Sequence, residues 1–153
     1  MAREDFILGA CAPEDIEQMI DVYLSAFRND YFGSFCFLGE IVTDDERRRW
    51  LRARFLRFMS RPEIRNFKVT EVSTGKIVAW ARWYFPYKFS EEEKLERDRE
   101  EQEKERARAE GTLQEYPLGA NVEVCNFKFG ELARLMKKYV DLEDMYGKYW
   151  QIS

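Results

Sequence analysis

Histidine is absent from all 153 residues of the chain, and that absence decides which chemistries are open to it. Imidazole acid–base steps, Ser-His-Asp and Cys-His nucleophile schemes and histidine-ligated metals are excluded, so any catalysis must run through carboxylates, tyrosine, lysine, cysteine or ordered water. Three groups of residues have types and spacings that bear on function. The stretch 29–40 holds Tyr31, Phe32, Phe35 and Phe37 between glycines, an unusual load of rings for a solvated connection. Those rings either fold back as a satellite of the core or line a substrate groove. Next come Arg47, Arg48, Arg49, Arg52, Arg54 and Arg57, followed by Arg61 and Arg65. Arginine is the side chain best suited to bidentate phosphate contact, but a solvated helix face whose arginine stems cover apolar neighbours is the simpler account. The third group is Cys11, Cys36 and Cys125. An odd number with no Cys-x-x-Cys pair indicates neither a disulfide framework nor a zinc site, so no metal is expected and a reducing compartment is the natural setting.

The composition narrows the setting further. With 45% hydrophobic and 16% aromatic residues the chain can bury a real core, and its length suits one domain. The formal charge of −4 argues against nucleic acid and against a membrane surface as partners. No stretch approaches the roughly 20 apolar residues of a membrane span, and Met1–Asp5 leads into no apolar run of signal-peptide length. A soluble, cytoplasmic protein is expected.

The elements that must position these groups follow from periodicity. Phe6 to Cys11 reads as a first strand. Pro13, Glu14 and Asp15 open a helix over about 13–28, with Ile16, Met19, Ile20, Tyr23, Leu24 and Phe27 on one stripe; Ala12 is a weak N-cap for it. Thr43 and Glu46 form a capping box that starts a second helix running to about Ser60, its buried face made of Trp50, Leu51, Phe55, Phe58 and Met59. Two runs rich in β-branched and aromatic residues, 67–72 and 76–85, flank Ser73-Thr74-Gly75 and predict a hairpin whose turn needs the positive φ of Gly75. In the second run Ile77, Ala79, Ala81, Trp83 and Phe85 alternate with Val78, Trp80, Arg82 and Tyr84. Large apolar groups on both faces predict a strand in the middle of a sheet covered on both sides.

Ser90 and Glu93 form a second capping box. The residues after it, 91–110, carry ten acidic against six basic side chains, which accounts for the whole formal charge. A helix with no apolar face cannot pack on a core over much of its length, so 90–111 reads as an exposed, charged helical insertion, a solvating connector or a partner-binding arm. Residues 121–125 are expected to be extended, 126–140 helical, and 146–153 the start of another strand.

This order of elements, with Val69-Thr70-Glu71-Val72-Ser73-Thr74-Gly75-Lys76-Ile77-Val78-Ala79-Trp80-Ala81 at its centre, resembles the N-terminal half of the GNAT superfamily of acyl-CoA-dependent N-acyltransferases. Ile64-Arg65-Asn66-Phe67-Lys68-Val69, Ile77-Val78-Ala79-Trp80-Ala81-Arg82-Trp83 and the charged insertion are similar to its filamentous-fungal branch. The resemblance implies an α/β fold: a mixed, mostly antiparallel sheet flanked by helices, here as a single partial domain over 1–153 that lacks the C-terminal half. It implies acetyl-CoA as cofactor, a small-molecule or peptide amine as acceptor, and Tyr31, Phe32 and Phe35 as substrate-binding residues. It names no catalytic residue here. The family holds the cofactor pyrophosphate on backbone amides of a Gln/Arg-x-x-Gly-x-Gly/Ala turn between a strand and a helix. No such turn occurs in this sequence, so the chain is expected to be inactive by itself. The alternative is a non-catalytic interaction protein that self-associates or binds a protein partner through an open sheet edge or the charged helix.

Overall fold

The computed structural model describes residues 5–39, 41–131 and 135. Strand β1 (Phe6–Ala10) leads through a 3-10 turn (Pro13–Asp15) into helix α1 (Ile16–Ala26), a short helix α2 (Tyr31–Cys36) and helix α3 (Asp44–Met59). Strands β2 (Ile64–Glu71) and β3 (Ile77–Tyr84) follow, then helix α4 (Glu91–Ala109), the short helix α5 (Val122–Cys125) and a π turn (Asn126–Glu131). The result is a mixed α/β fold around a three-stranded antiparallel sheet in the order β1-β2-β3.

The hairpin forms as its sequence predicts, with Gly75 at φ 69°. Its position in the sheet corrects the expectation: β2 is central and β3 lies at the edge among the described strands. The alternation is also broken. A register shift at Val69/Thr70 pairs Ala79 with Val69 but Ile77 with Thr70, so Val78 is the extra residue of a bulge. Ile77 therefore moves to the side of Lys68 and Trp80, where it is buried. Helices α1 and α3 cover that side only. The other side, carrying Phe6, Leu8, Phe67, Val69, Ala79, Ala81, Trp83 and Phe85, is open, with Leu8 72% and Trp83 51% exposed. Both-sided aromatic patterning reported how apolar the two faces are. It did not report whether a second layer covers them.

On the covered side Ile16, Met19, Ile20, Leu51 and Phe55 form the main core, with Trp80 packed against it. The Trp80 indole donates to the Met19 carbonyl at 2.9 Å and meets the Phe55 ring edge-to-face at 5.0 Å. Asp15, nearly buried, holds Lys68 of β2 at 2.6 Å and accepts the Ala12 amide at 2.7 Å, which supplies the start of the helix with the carboxylate that Ala12 lacks. Burial pushes the Asp15 carboxyl up, but the Lys68 and Ala12 bonds and the Lys68 charge together hold it below its usual range.

Other boundaries differ in instructive ways. Thr43 caps α3 by accepting the Glu46 amide at 3.2 Å, but the Glu46 carboxylate turns to Arg49 instead of closing the box. Ser90 and Glu93 make the full reciprocal pair. The predicted charged helix is present, buries no residue, and is tied to the body at Arg61–Glu100 and Arg97–Glu63, both 2.7 Å. Residues 122–125 are helical, not extended, because the Asn121 side chain accepts the Val124 amide at 3.2 Å and nucleates a turn. Of the helix expected over 126–140, residues 126–131 form the π turn; most of its remainder, and the strand expected over 146–153, lie outside the described residues. Among the described residues no helix is long and apolar enough to cross a membrane.

Trp80→Ala is expected to cost about 3 kcal/mol in denaturant unfolding, from the lost ring packing and the lost indole bond to the Met19 carbonyl. Trp83→Ala, on the open side, is expected to cost under about 1 kcal/mol. Equal losses would contradict the one-sided core.

Candidate functional site

The aromatic stretch resolves into two parts with different fates. Asp30 caps α2 by accepting the Phe32 amide at 3.1 Å, and the short helix then sends Cys36 and Phe37 inward and Tyr31, Phe32 and Phe35 outward. Cys36 and Phe37 join Val42 and Cys125 in a second buried cluster, with Trp50, Tyr116, Ala120 and Val124 against it. This cluster docks α5 on α2. The Cys36 carbonyl accepts the Asn121 amide at 2.9 Å and the Cys125 thiol at 3.8 Å. Burial, with a smaller contribution from Cys36, pushes the Cys125 thiol well above its ordinary range, and burial pushes Cys11 up to about 11. Neither thiol has the character of a nucleophile at neutral pH.

Docking α5 against α2 creates a cavity of about 480 Å³ lined by Tyr31, Phe32, Phe35, Glu123, Val124 and Phe127. The three rings singled out in the sequence are thus brought together, Tyr31 meeting Phe35 edge-to-face at 5.0 Å. Glu123, Val124 and Phe127, some ninety residues away, were not. Their signal was the Asn121 cap, which places Glu123 and Phe127 on consecutive turns. Beside the cavity Lys128 bonds Asp30 at 2.8 Å while its ammonium lies 5.3 Å from the centre of the Phe32 ring. The Lys128 bond, the Lys128 charge and the Phe32 and Gly33 amides hold the Asp30 carboxyl below its usual range against a smaller opposing effect of burial.

The arginines of α3 are engaged within the fold. Arg48, Arg49 and Arg52 pair with Asp21, Glu46 and Glu17 at 2.6, 2.6 and 2.5 Å. Arg47 lies over Phe37, Arg54 over Trp50 and Phe58, and Arg57 over Phe58. This is the stem-covering arrangement. Arg54 and Arg57 do reach a separate cavity of about 380 Å³ with Lys104 and Tyr116, and burial lowers the Arg54 guanidinium from its ordinary range. Among the described residues no cluster of three or more cysteine or carboxylate side chains could hold a metal ion.

A pyrophosphate cradle of backbone amides requires a glycine turn between a strand and a helix. Among the described residues the glycines with positive φ are Gly75 in the hairpin, Gly111 after α4 and Gly119 before α5. No described glycine lies between a strand and a helix that follows it, so the described residues do not fit the pyrophosphate of acetyl-CoA in the way the family would hold it.

Asp30→Asn keeps an acceptor at the α2 cap and removes only the charge. Because the folded carboxyl titrates below its unfolded value, its contribution is fully present above the unfolded pKa of about 4 and is lost as pH falls through the folded one. The stability gap between wild type and Asp30→Asn is therefore expected to be below about 1 kcal/mol at neutral pH and to close under acid conditions. A gap that widened on acidification, in thermal melts across pH, would contradict the ion pair.

Compared with known proteins, the chain matches no family model, and no curated protein and no solved structure is significantly similar to it.

Proposed function

We propose that these residues form the acceptor side of an acyl-CoA-dependent N-acyltransferase-like domain, unable to hold acetyl-CoA alone, with the α2–α5 cavity receiving part of the amine-bearing acceptor. The observation that carries the reading is that Tyr31, Phe32 and Phe35 share one cavity of about 480 Å³, within the usual size range of small-molecule sites. The run β1, helices, then the β2–β3 meander also supports it, since this is the order that the sequence resemblance implies. When bound, acetyl-CoA would supply an activated acetyl thioester. These residues contribute apolar walls and a carboxylate at Glu123, and no group is assigned to remove the amine proton. Calorimetry of the 153-residue chain with acetyl-CoA is expected to show no binding at millimolar ligand. Micromolar binding would overturn the cofactor part of the proposal.

A second reading, a non-catalytic interaction protein, is favoured by one specific observation: the open side of the sheet ends at the outer edge of β3, where Trp83, Tyr84 and Phe85 are exposed. An apolar surface next to a strand edge that no other described strand pairs invites another chain. Sedimentation velocity is expected to show concentration-dependent association that Trp83→Glu abolishes without lowering the melting temperature. A monomer at all concentrations would remove this reading.

A further inference from the structure

The walls of the α2–α5 cavity carry information about the charge of what enters it. Among the described residues, Tyr31, Phe32, Phe35 and Phe127 supply four aromatic rings to the wall, and Glu123 is its one charged group and takes part in no ion pair. Ring faces carry negative potential. Rings combined with a carboxylate make a donor set for a cation and repel an anion. The protein already uses this chemistry at the rim of the cavity, where the Lys128 ammonium sits 5.3 Å from the centre of the Phe32 ring and bonds Asp30 at 2.8 Å. Asp30 and Lys128 offset one another, so among the described residues the charge left facing the cavity is that of Glu123.

We infer that the cavity binds a small organic ammonium ion, and a methylated one in preference to a bare primary ammonium. A primary ammonium brings three N–H donors, each needing an acceptor to replace its water. Among the described side chains of the wall the acceptors are the Glu123 carboxylate and the Tyr31 hydroxyl. Methyl groups carry no such requirement and spread the positive charge over surface that packs against the rings. The assignment of this ion to the acceptor substrate rests on the acceptor reading given above; the acceptor would then present a methylated ammonium head apart from the amine that reacts. Binding of the ion does not depend on that assignment.

The probe is tetramethylammonium chloride, titrated into the full chain and followed by the ring-proton resonances of the cavity. Sodium chloride at equal ionic strength and tert-butanol, a neutral molecule of similar shape, are the comparisons. Tetramethylammonium is expected to shift the Tyr31, Phe32, Phe35 and Phe127 signals and to bind about tenfold tighter than tert-butanol. Glu123→Gln is expected to weaken it about fivefold, and Phe127→Leu by at least as much. Both side chains are exposed, and unchanged melting temperatures would verify that the variants fold. Equal affinity for the two probes, an unchanged affinity in Glu123→Gln, or no response of the ring signals overturns the inference. None of these readouts involves acetyl-CoA, so a failed ammonium site and a failed acceptor reading are told apart by which titration fails.

Discussion

Trp80 joins the sheet to both helices that cover it. Its indole N–H bonds the Met19 carbonyl of α1, its ring meets Phe55 of α3, and it sits on β3, an edge strand among those described. A three-stranded sheet is near the lower limit of independent stability and needs a layer packed on one face. Here α1 and α3 supply that layer. The bulge at Val78 belongs to the same constraint, because it turns Ile77 toward the helices and adds one more buried side chain at the end of the strand. Arg82 continues the covered row, its guanidinium 3.8 Å from the centre of the Phe58 ring and its Nε–H on Asn66. With the covered side complete, the sheet has no remaining helix among those described for the opposite side.

The second cluster does for the cavity what Trp80 does for the sheet. Cys36, Phe37, Val42 and Cys125 are buried together, and Trp50 touches both this cluster and the main core. Its indole also donates to the Glu115 carbonyl at 2.8 Å, anchoring the segment that leads into α5. The distance between the rings of α2 and Phe127 of the π turn is thus set by two small buried thiols and one tryptophan. Gly119 is the tight point of that approach: a Cβ there would lie 2.5 Å from Ile41, and its φ is +84°. A side chain at that position would force α5 away from α2.

How much of this could be read from the residues depends on the range of the interaction. The hairpin turn, the Ser90–Glu93 box and the apolar stripe of α1 are local, and the sequence shows them directly. Capping at Asn121 is equally local, yet Val122, Val124 and Cys125 have β-rich side chains that mask it. The edge position of β3 is not local. Alternation reports which residues share a face, and the pairing order and the bulge depend on contacts with β1, β2 and α1 far away in the chain. Tyr31, Phe32 and Phe35 were legible as rings needing a role, whereas Glu123 and Phe127 enter the cavity only through the docking of α5 by Cys36 and Cys125.

The open side of the sheet and the aromatic cavity are built from separate elements. The first consists of alternate residues of β1, β2 and β3 with Phe85; the second draws on α2, α5 and the π turn. A partner covering Leu8 and Trp83 would therefore leave Glu123 and Phe127 in contact with solvent. The charged helix α4 contributes to neither. Its ties to the body, Arg61–Glu100 and Arg97–Glu63, fall in its middle, and with no buried residue it depends on its capping box and its i,i+3 pairs, such as Glu91–Lys94 at 2.7 Å. Such pairs weaken with salt while ring and aliphatic packing does not. The three parts thus rest on different interactions: α4 on ion pairs and its cap, the covered side of the sheet on apolar packing, and the cavity on the docking of α5 against α2.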